Sequence, residues 1–122
     1  MRLKVESGAV SLDIERRDTS TTKALAAALP FESTAQTWGE EVYFSTPVSA
    51  KLEPDAQQTV EPGTACFWTQ GEAIALPFGR TPISTDARSR LAAPCNLISK
   101  ILGDCRVLAN VRSGAKIKVT AR

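Results

Sequence analysis

Short stretches of alternating apolar and polar residues are the feature that most constrains the fold of this chain. Leu3 and Val5 alternate with charged residues, and after a Ser-Gly pair Val10, Leu12 and Ile14 alternate with polar ones. A period of two residues places the apolar side chains on one face of a β-strand. The first fifteen residues are therefore predicted to form a β-hairpin with one face in the core.

The same alternation, punctuated by turn residues, recurs along the chain. Further strands are predicted at residues 31–38, 40–46, 65–69, 73–78, 96–102 and 115–121. Residues 51–63 are polar, contain two prolines and end in Glu-Pro-Gly, which is typical of a surface loop. Residues 79–94 lack sustained periodicity and are predicted to form a second long exposed loop. About eight short strands with few helices favour an antiparallel barrel over an alternating βα sheet.

Two short helices are predicted to cap the ends of that barrel. Asp18 or Thr19 can cap the first, which is rich in Ala and Leu and ends before Pro30. Asp104 can cap the second, which carries Leu108 and Val111 on its apolar side. The helices are placed near residues 19–29 and 104–111.

The length and charge of the chain limit its domain organisation and its possible partners. The 122 residues, 43% of them hydrophobic, suffice for one domain spanning residues 1–122. Fifteen basic and thirteen acidic side chains, spread evenly, give a net charge of +2 and do not indicate a nucleic-acid partner. No apolar run approaches the roughly 18 residues that span a bilayer, so no membrane association is expected. A monomer or weak homodimer is expected.

Cysteine and histidine usage constrain the compartment and the chemistry. Cys66, Cys95 and Cys105 form no Cys-x-x-Cys pair and are interpreted as free thiols of a cytoplasmic protein. The chain has no histidine, which excludes Ser-His-Asp and Cys-His catalysis and histidine-ligated zinc. The glycines form no phosphate-binding pattern. We therefore expect no cofactor and no metal.

Three segments of the chain carry a resemblance to a known family. Residues 37–47 (TWGEEVYFSTP) and 76–84 (LPFGRTPIS) are similar to two signature stretches of the cyclophilin-like superfamily, and most closely of its small single-domain prokaryotic family of unassigned function. Residues 96–103, the helix after them and the last strand resemble the end of cyclophilins. The resemblance covers almost the whole chain and implies a mostly β fold, a closed antiparallel cyclophilin-like β-barrel.

The residues with which cyclophilins isomerise prolyl bonds have no counterparts at the matching positions of this chain. Isomerising cyclophilins have an arginine on the strand after the glycine matched by Gly39, where this chain has Phe44 or Ser45. Near the Thr-Pro matched by residues 81–82 they have a tryptophan and a histidine, where this chain has Ile83 and no histidine. Trp68 replaces a small residue of their peptide-binding segment. The resemblance therefore does not imply a standard isomerase site.

Aromatic side chains with a few polar neighbours are the candidate binding residues. The predicted ligand-binding set is Trp38, Glu40, Tyr43, Phe44, Trp68, Phe78, Arg80 and Thr81. Such side chains can line a groove that desolvates an extended peptide or a small ring. For Phe44 and Phe78, packing in a core is the favoured explanation, since they occupy alternate positions beside Val42 and Leu76. Trp38, beside a glycine, and Trp68, on the face opposite Phe67, fit a groove better.

The polar candidates also have simpler interpretations. Glu40 and Glu41 could perform acid–base chemistry if one were desolvated against Trp38, but adjacent strand residues point to opposite faces. A solvated carboxylate, or a hydrogen bond to a turn amide, is the favoured role for each. Arg80, between Gly79 and a Thr-Pro pair, could grip a carboxylate or a carbonyl, or simply pair with Asp86 or water. Cys105 opens a helix whose amides could lower its pKa.

The leading hypothesis is a binding module for a peptide segment or a small amide-containing ligand. The sequence contains no residue whose presence requires a catalytic function. An alternative is an unorthodox peptidyl-prolyl isomerase in which Arg80 stabilises the twisted imide while aromatic side chains seat the proline. A second alternative is an accessory subunit, because domains of this fold resemble parts of multi-component amide hydrolases. Arg80 is the tentative catalytic residue if the chain is an enzyme.

Overall fold

A computed structural model describes residues 2–122 as ten antiparallel β-strands, one α-helix and one 3₁₀-helix. The strands are β1 Arg2–Ser7, β2 Val10–Glu15, β3 Phe31–Thr34, β4 Gln36–Thr37, β5 Glu41–Ser45, β6 Gln57–Val60, β7 Thr64–Trp68, β8 Ala73–Pro77, β9 Ser89–Leu102 and β10 Lys116–Ala121. The helices are α1 Ser20–Ala28 and the 3₁₀-helix Cys105–Asn110.

The predicted N-terminal hairpin is confirmed. Strands β1 and β2 pair antiparallel, with Leu3 opposite Ile14 and Val5 opposite Leu12. All four side chains are buried, as the alternation requires. The hairpin thus contributes one face to the main core, which also contains Phe44, Phe67, Leu76 and Ile98 among others.

The sheet is not closed, and the prediction of a closed barrel is wrong. The hydrogen-bonded order is β3-β10-β1-β2-β9-β7-β8-β5-β4, with β6 added on β9. The two edges, β3 and β4, come from one extended segment that changes partner at the buried residue Ala35. Its first half pairs with β10 and its second half with β5, so the two halves lie in line and do not pair with each other. Ser33 and Ser45 approach across the gap, with their Oγ atoms 3.3 Å apart.

Both predicted helices are confirmed, and the second is a 3₁₀-helix. Thr19 caps α1, accepting a hydrogen bond from the Thr22 amide while Thr22 accepts one from the Thr19 amide. Leu25 of α1 is fully buried in the main core. Asp104 caps the 3₁₀-helix by accepting a hydrogen bond from the Arg106 amide.

Two predicted loops contain strands instead. Residues 57–60 form β6, and β9 begins at Ser89 rather than at residue 96. Between these strands the register shifts: Gln57 is opposite Cys95, whereas Thr59 is opposite Arg90. Pro94 falls in that irregular stretch, where a residue without an N–H does not interrupt regular pairing. The proline and the bulge mask the alternation, so the sequence pattern missed β6 and the first half of β9.

Candidate functional site

A cavity of about 260 Å³ lies on the face of the sheet opposite the main core. Its lining residues, here called the aromatic pocket, are Trp38, Glu41, Tyr43, Trp68, Ala75, Leu91, Ala92 and Cys95. Strand β5 supplies Glu41 and Tyr43 from one face, whereas its alternate residues Val42 and Phe44 are buried in the main core. A second, smaller apolar cluster that includes Cys66, Ala75 and Leu91 forms the floor.

The aromatic walls are held by contacts with one another and with neighbouring side chains. Tyr43 and Trp68 meet edge to face, with ring centroids 6.4 Å apart and an angle of 86° between the planes. The Tyr43 hydroxyl donates a hydrogen bond to Gln36 Oε1 at 3.0 Å. Trp68 packs on Gly71, where a Cβ atom would lie 2.3 Å from the indole Cε3. A glycine at position 71 therefore allows the indole to lie against the turn.

Glu41 is the one acidic side chain that lines the aromatic pocket within residues 2–122. Its exposed fraction is 6%, and its Oε1 atom has no hydrogen-bond partner among the described residues. Burial raises the pKa of this carboxyl to about 7. Near neutral pH, Glu41 can therefore be either protonated or ionised, and the bare oxygen is free to accept a hydrogen bond from a ligand.

The two thiols beside Glu41 are not activated. Burial, with the Glu41 charge as a smaller cause, raises the pKa of Cys95 to about 12. The pKa of Cys66 is also raised, first by burial and then by Cys95 and Glu41. Both cysteines are neutral thiols at physiological pH: Cys95 lines the aromatic pocket, and Cys66 lies in the second apolar cluster.

Arg80, Phe78 and Glu40 lie in a different cavity, of about 440 Å³, here called the Arg80 cavity. The Arg80 guanidinium is exposed and donates a hydrogen bond to the Ser84 carbonyl oxygen at 3.3 Å. Glu40 Oε1 accepts a hydrogen bond from the Arg80 amide at 3.1 Å, which is the turn-amide role favoured by the sequence. The predicted groove is thus divided: Trp38, Tyr43 and Trp68 line one cavity, and the other three residues line the second.

Two predicted ligand-binding residues have little or no surface for a ligand. Phe44 is fully buried in the main core, as its alternation with polar residues allowed. Thr81 is 5% exposed, and its hydroxyl donates a hydrogen bond to the Arg90 carbonyl oxygen. Both side chains hold the fold together and are removed from the ligand-binding set.

The expectation that helix amides lower the pKa of Cys105 is wrong. Burial and the neighbouring Asp104 raise that pKa, and their effect exceeds that of the backbone and of Arg106. Cys105 is half-buried and lines the Arg80 cavity.

The role favoured for Glu41, a solvated carboxylate or a hydrogen bond to a turn amide, is wrong, because its burial depends on strands that the sequence pattern did not show. The signal that could have found it is its position two residues before Tyr43 on the same face of β5. Adjacent carboxylates do point to opposite faces, as expected: Glu40 lies in the Arg80 cavity and Glu41 in the aromatic pocket.

The described residues contain neither a metal-binding cluster nor a membrane-spanning helix. Within residues 2–122, no group of three or more His, Cys, Asp or Glu side chains is arranged to hold a metal ion. No helix in that range has the length and apolar character needed to cross a membrane.

Comparisons with known proteins concern the whole chain. The family model described as Cyclophilin-like matches residues 1–120. The solution structure of the hypothetical protein AF2241 from Archaeoglobus fulgidus is similar, with a TM-score of 0.87 and 36% sequence identity. The match covers 100% of this chain and 95% of the archaeal one. Among curated proteins, none matches.

Proposed function

The chain belongs to the cyclophilin-like family, and on that premise we propose that it is a binding module whose aromatic pocket holds a small ligand or one side chain of a peptide. The single observation that carries this proposal is the pocket itself, an apolar cavity with two tryptophans and a tyrosine in its wall. Ligand sites are commonly concave and apolar, with a few polar groups that fix orientation.

The size of the aromatic pocket favours a compact ligand. A cavity of about 260 Å³ is near the lower end of the roughly 300–1,000 Å³ typical of small-molecule sites. One ring or one branched alkyl group fills such a space, whereas an extended peptide reaches beyond it. Ala92, an exposed residue at the rim, leaves the entrance open.

Intrinsic fluorescence tests the proposal, because both tryptophans of the chain line the pocket. The compact amide or alkyl probes are 2-piperidone, N-acetylprolinamide and 3-methylbutan-1-ol. We expect at least one of them to give a saturable change in tryptophan fluorescence. Ala92→Leu should weaken that binding at least tenfold by filling the entrance. Ala109→Leu, at an exposed position of the 3₁₀-helix, is the matched control and should not alter it. Absence of saturable binding by every probe, or equal binding in Ala92→Leu, would contradict the proposal.

A second candidate is prolyl isomerisation at the Arg80 cavity. This cavity brings the Phe78 ring and Arg80 together, as an aromatic seat and a hydrogen-bond donor for a twisted imide require. Exchange NMR on short Xaa-Pro peptides, with a true cyclophilin as positive control, tests it. Acceleration that disappears in Arg80→Ala supports the candidate, and no acceleration beside a working control removes it.

We propose a cytoplasmic location on the basis of the thiols. Cys66, Cys95 and Cys105 are all free, and two of them are buried, which suits a reducing compartment. Fractionation of the source cells, with detection by antibody, tests this proposal, and recovery outside the cytoplasm would contradict it.

A further inference from the structure

The Glu41 carboxyl is the polar group of the aromatic pocket that the protein leaves unsatisfied. Its side chain is more than nine-tenths buried, and Oε1 has no hydrogen-bond partner among residues 2–122. A buried polar atom without a partner costs free energy, and such atoms are uncommon in folded proteins. Because the Glu41 side chain lines the aromatic pocket, a ligand in the pocket can supply the missing hydrogen bond.

The surroundings of Glu41 supply no positive charge. Of the described side chains that line the pocket, none is a lysine or an arginine. The titratable groups that face the carboxyl are Tyr43 on its own strand, Cys66 on β7 and Cys95 on β9. The neighbouring strand β8 contributes only apolar residues. The ionised carboxylate therefore lacks a counter-charge until a ligand brings one.

The aromatic side chains favour the same kind of ligand. Trp38, Tyr43 and Trp68 line the cavity that contains the carboxyl. Aromatic faces attract cations through their quadrupole, most strongly for tryptophan and in a desolvated site. A neutral N–H donor would satisfy Oε1 but would leave the charge of Glu41 uncompensated. A cation that carries at least one N–H and apolar substituents satisfies the oxygen, compensates the charge and packs against the aromatic walls.

We propose that the aromatic pocket recognises a protonated secondary or tertiary amine, whose N–H⁺ donates to Glu41 Oε1 while its alkyl groups lie against Trp38 and Trp68. This inference rests on the proposed binding function and specifies the chemical class of its ligand. Because the pKa of Glu41 is raised to about 7, affinity for the amine falls as pH drops and the carboxyl becomes protonated. No covalent step is involved.

Three alcohols of nearly equal shape test the inference by tryptophan fluorescence. The probes are 2-(dimethylamino)ethanol, which is protonated at about pH 8, its neutral carbon analogue 3-methylbutan-1-ol, and choline, a cation without an N–H. At about pH 8 we expect the amine to bind at least about tenfold more tightly than the neutral analogue, with choline between them. At about pH 5.5 the preference for the amine should shrink several-fold.

Two variants test whether the preference for the amine depends on the Glu41 carboxyl. Glu41→Gln should bind the amine and its neutral analogue about equally and should lose the pH dependence. Glu32→Gln removes an exposed carboxylate on β3 and changes the net charge by the same amount as Glu41→Gln. This variant should keep both the preference for the amine and its pH dependence.

The fluorescence results distinguish a wrong amine assignment from a wrong proposal that the pocket binds ligands. If the amine and the neutral analogue bind equally to the wild type, the pocket binds ligands but the amine assignment is wrong. If choline binds more tightly than the amine, the hydrogen bond to Oε1 is wrong. If none of the three alcohols binds, the amine assignment is overturned. The Ala92→Leu experiment then decides separately whether the pocket binds other compact probes.

Discussion

The carboxyl of Glu41 is the residue on which the chemistry of the aromatic pocket depends. It begins strand β5, so strand geometry sends it to the same face as Tyr43 and away from the main core. Burial disfavours its ionised form and raises its pKa to about 7. The folded chain therefore holds a proton over a pH range in which the unfolded chain has released it.

Stability should report this difference between the folded and unfolded chains. From the unfolded pKa of 4.5 up to the folded pKa of about 7, the folded state binds more protons, so the free energy of unfolding falls as pH rises. The fall attributable to Glu41 is about 3 kcal/mol in all, complete above that range and absent below it. Urea unfolding of wild type and Glu41→Gln across this range measures it. The stability of the variant relative to wild type should rise with pH, and parallel curves for the two proteins would contradict the assignment.

Gly71 controls the position of one pocket wall. A Cβ atom there would lie 2.3 Å from Trp68 Cε3, so Gly71→Ala should push the indole from its place. We expect a shifted tryptophan emission spectrum and loss of about 1–3 kcal/mol of stability from overpacking. Gly8→Ala is the control, because a Cβ at position 8 meets nothing within 4 Å, although φ is +59° there. An unchanged emission spectrum in Gly71→Ala would show that the indole does not pack on this turn.

At the scale of elements, β6 and β9 determine whether the outer face of the sheet is a surface or a pocket. Leu91 and Cys95 of β9, with Val60 of β6, complete the second apolar cluster under the aromatic side chains. Alternation in the sequence was sufficient to predict the hairpin, β5, β7 and β8, because these strands obey a simple period. It was insufficient for β6 and the first half of β9, where a bulge and Pro94 break the period. The aromatic residues of the candidate site were therefore predicted, whereas its carboxyl, Glu41, was predicted to be solvated.

A buried amide joins β9 to α1 and to the loop that contains Lys51 and Glu53. Asn96 donates hydrogen bonds to Thr21 Oγ1 of α1 and to the Lys51 carbonyl oxygen, both at 2.9 Å, and accepts one from the Glu53 amide at 2.7 Å. Its side chain is fully buried, so its own polar atoms depend on these three hydrogen bonds.

Removing that amide should be costly. Asn96→Ala leaves these groups unpaired and should lower the free energy of unfolding by about 3 kcal/mol. Ser99→Ala, on the same strand, removes only a hydrogen bond to Glu15 at the surface and should cost less than about 0.5 kcal/mol. Denaturant unfolding of the two variants makes the comparison, and similar losses in both would contradict this account of Asn96.

For the whole molecule, the sequence predicted the class and the family but not the closure of the sheet. Similarity in order and signature stretches predicted a mostly β, cyclophilin-like fold, and the match over residues 1–120 confirms the family. Closure depends on where one extended segment changes partner, and that point, Ala35, carries no distinctive sequence signal. Buried and small, Ala35 resembles any other core residue in the sequence.

Hydrogen exchange should show the open order of the sheet. Strand β9 has β2, β7 and β6 as partners, whereas β4 has only β5 and forms two residue pairs with it. We expect the amides of β9 to exchange slowest and those of β4 fastest among the strands, because local opening is easiest at an edge. Equal protection of β4 and β9, measured by NMR, would indicate pairing on both sides of β4.

The most direct test of the central claim, a ligand-binding carboxyl in an aromatic pocket, is an NMR pH titration of the Glu41 side-chain carboxyl, assigned with Glu41→Gln. In the free protein we predict a midpoint near pH 7, as the raised pKa requires. In saturating 2-(dimethylamino)ethanol the midpoint should fall, because the bound cation stabilises the ionised carboxylate. A midpoint near the ordinary glutamate value of 4.5 in the free protein, or one that the amine leaves unchanged, would contradict the account.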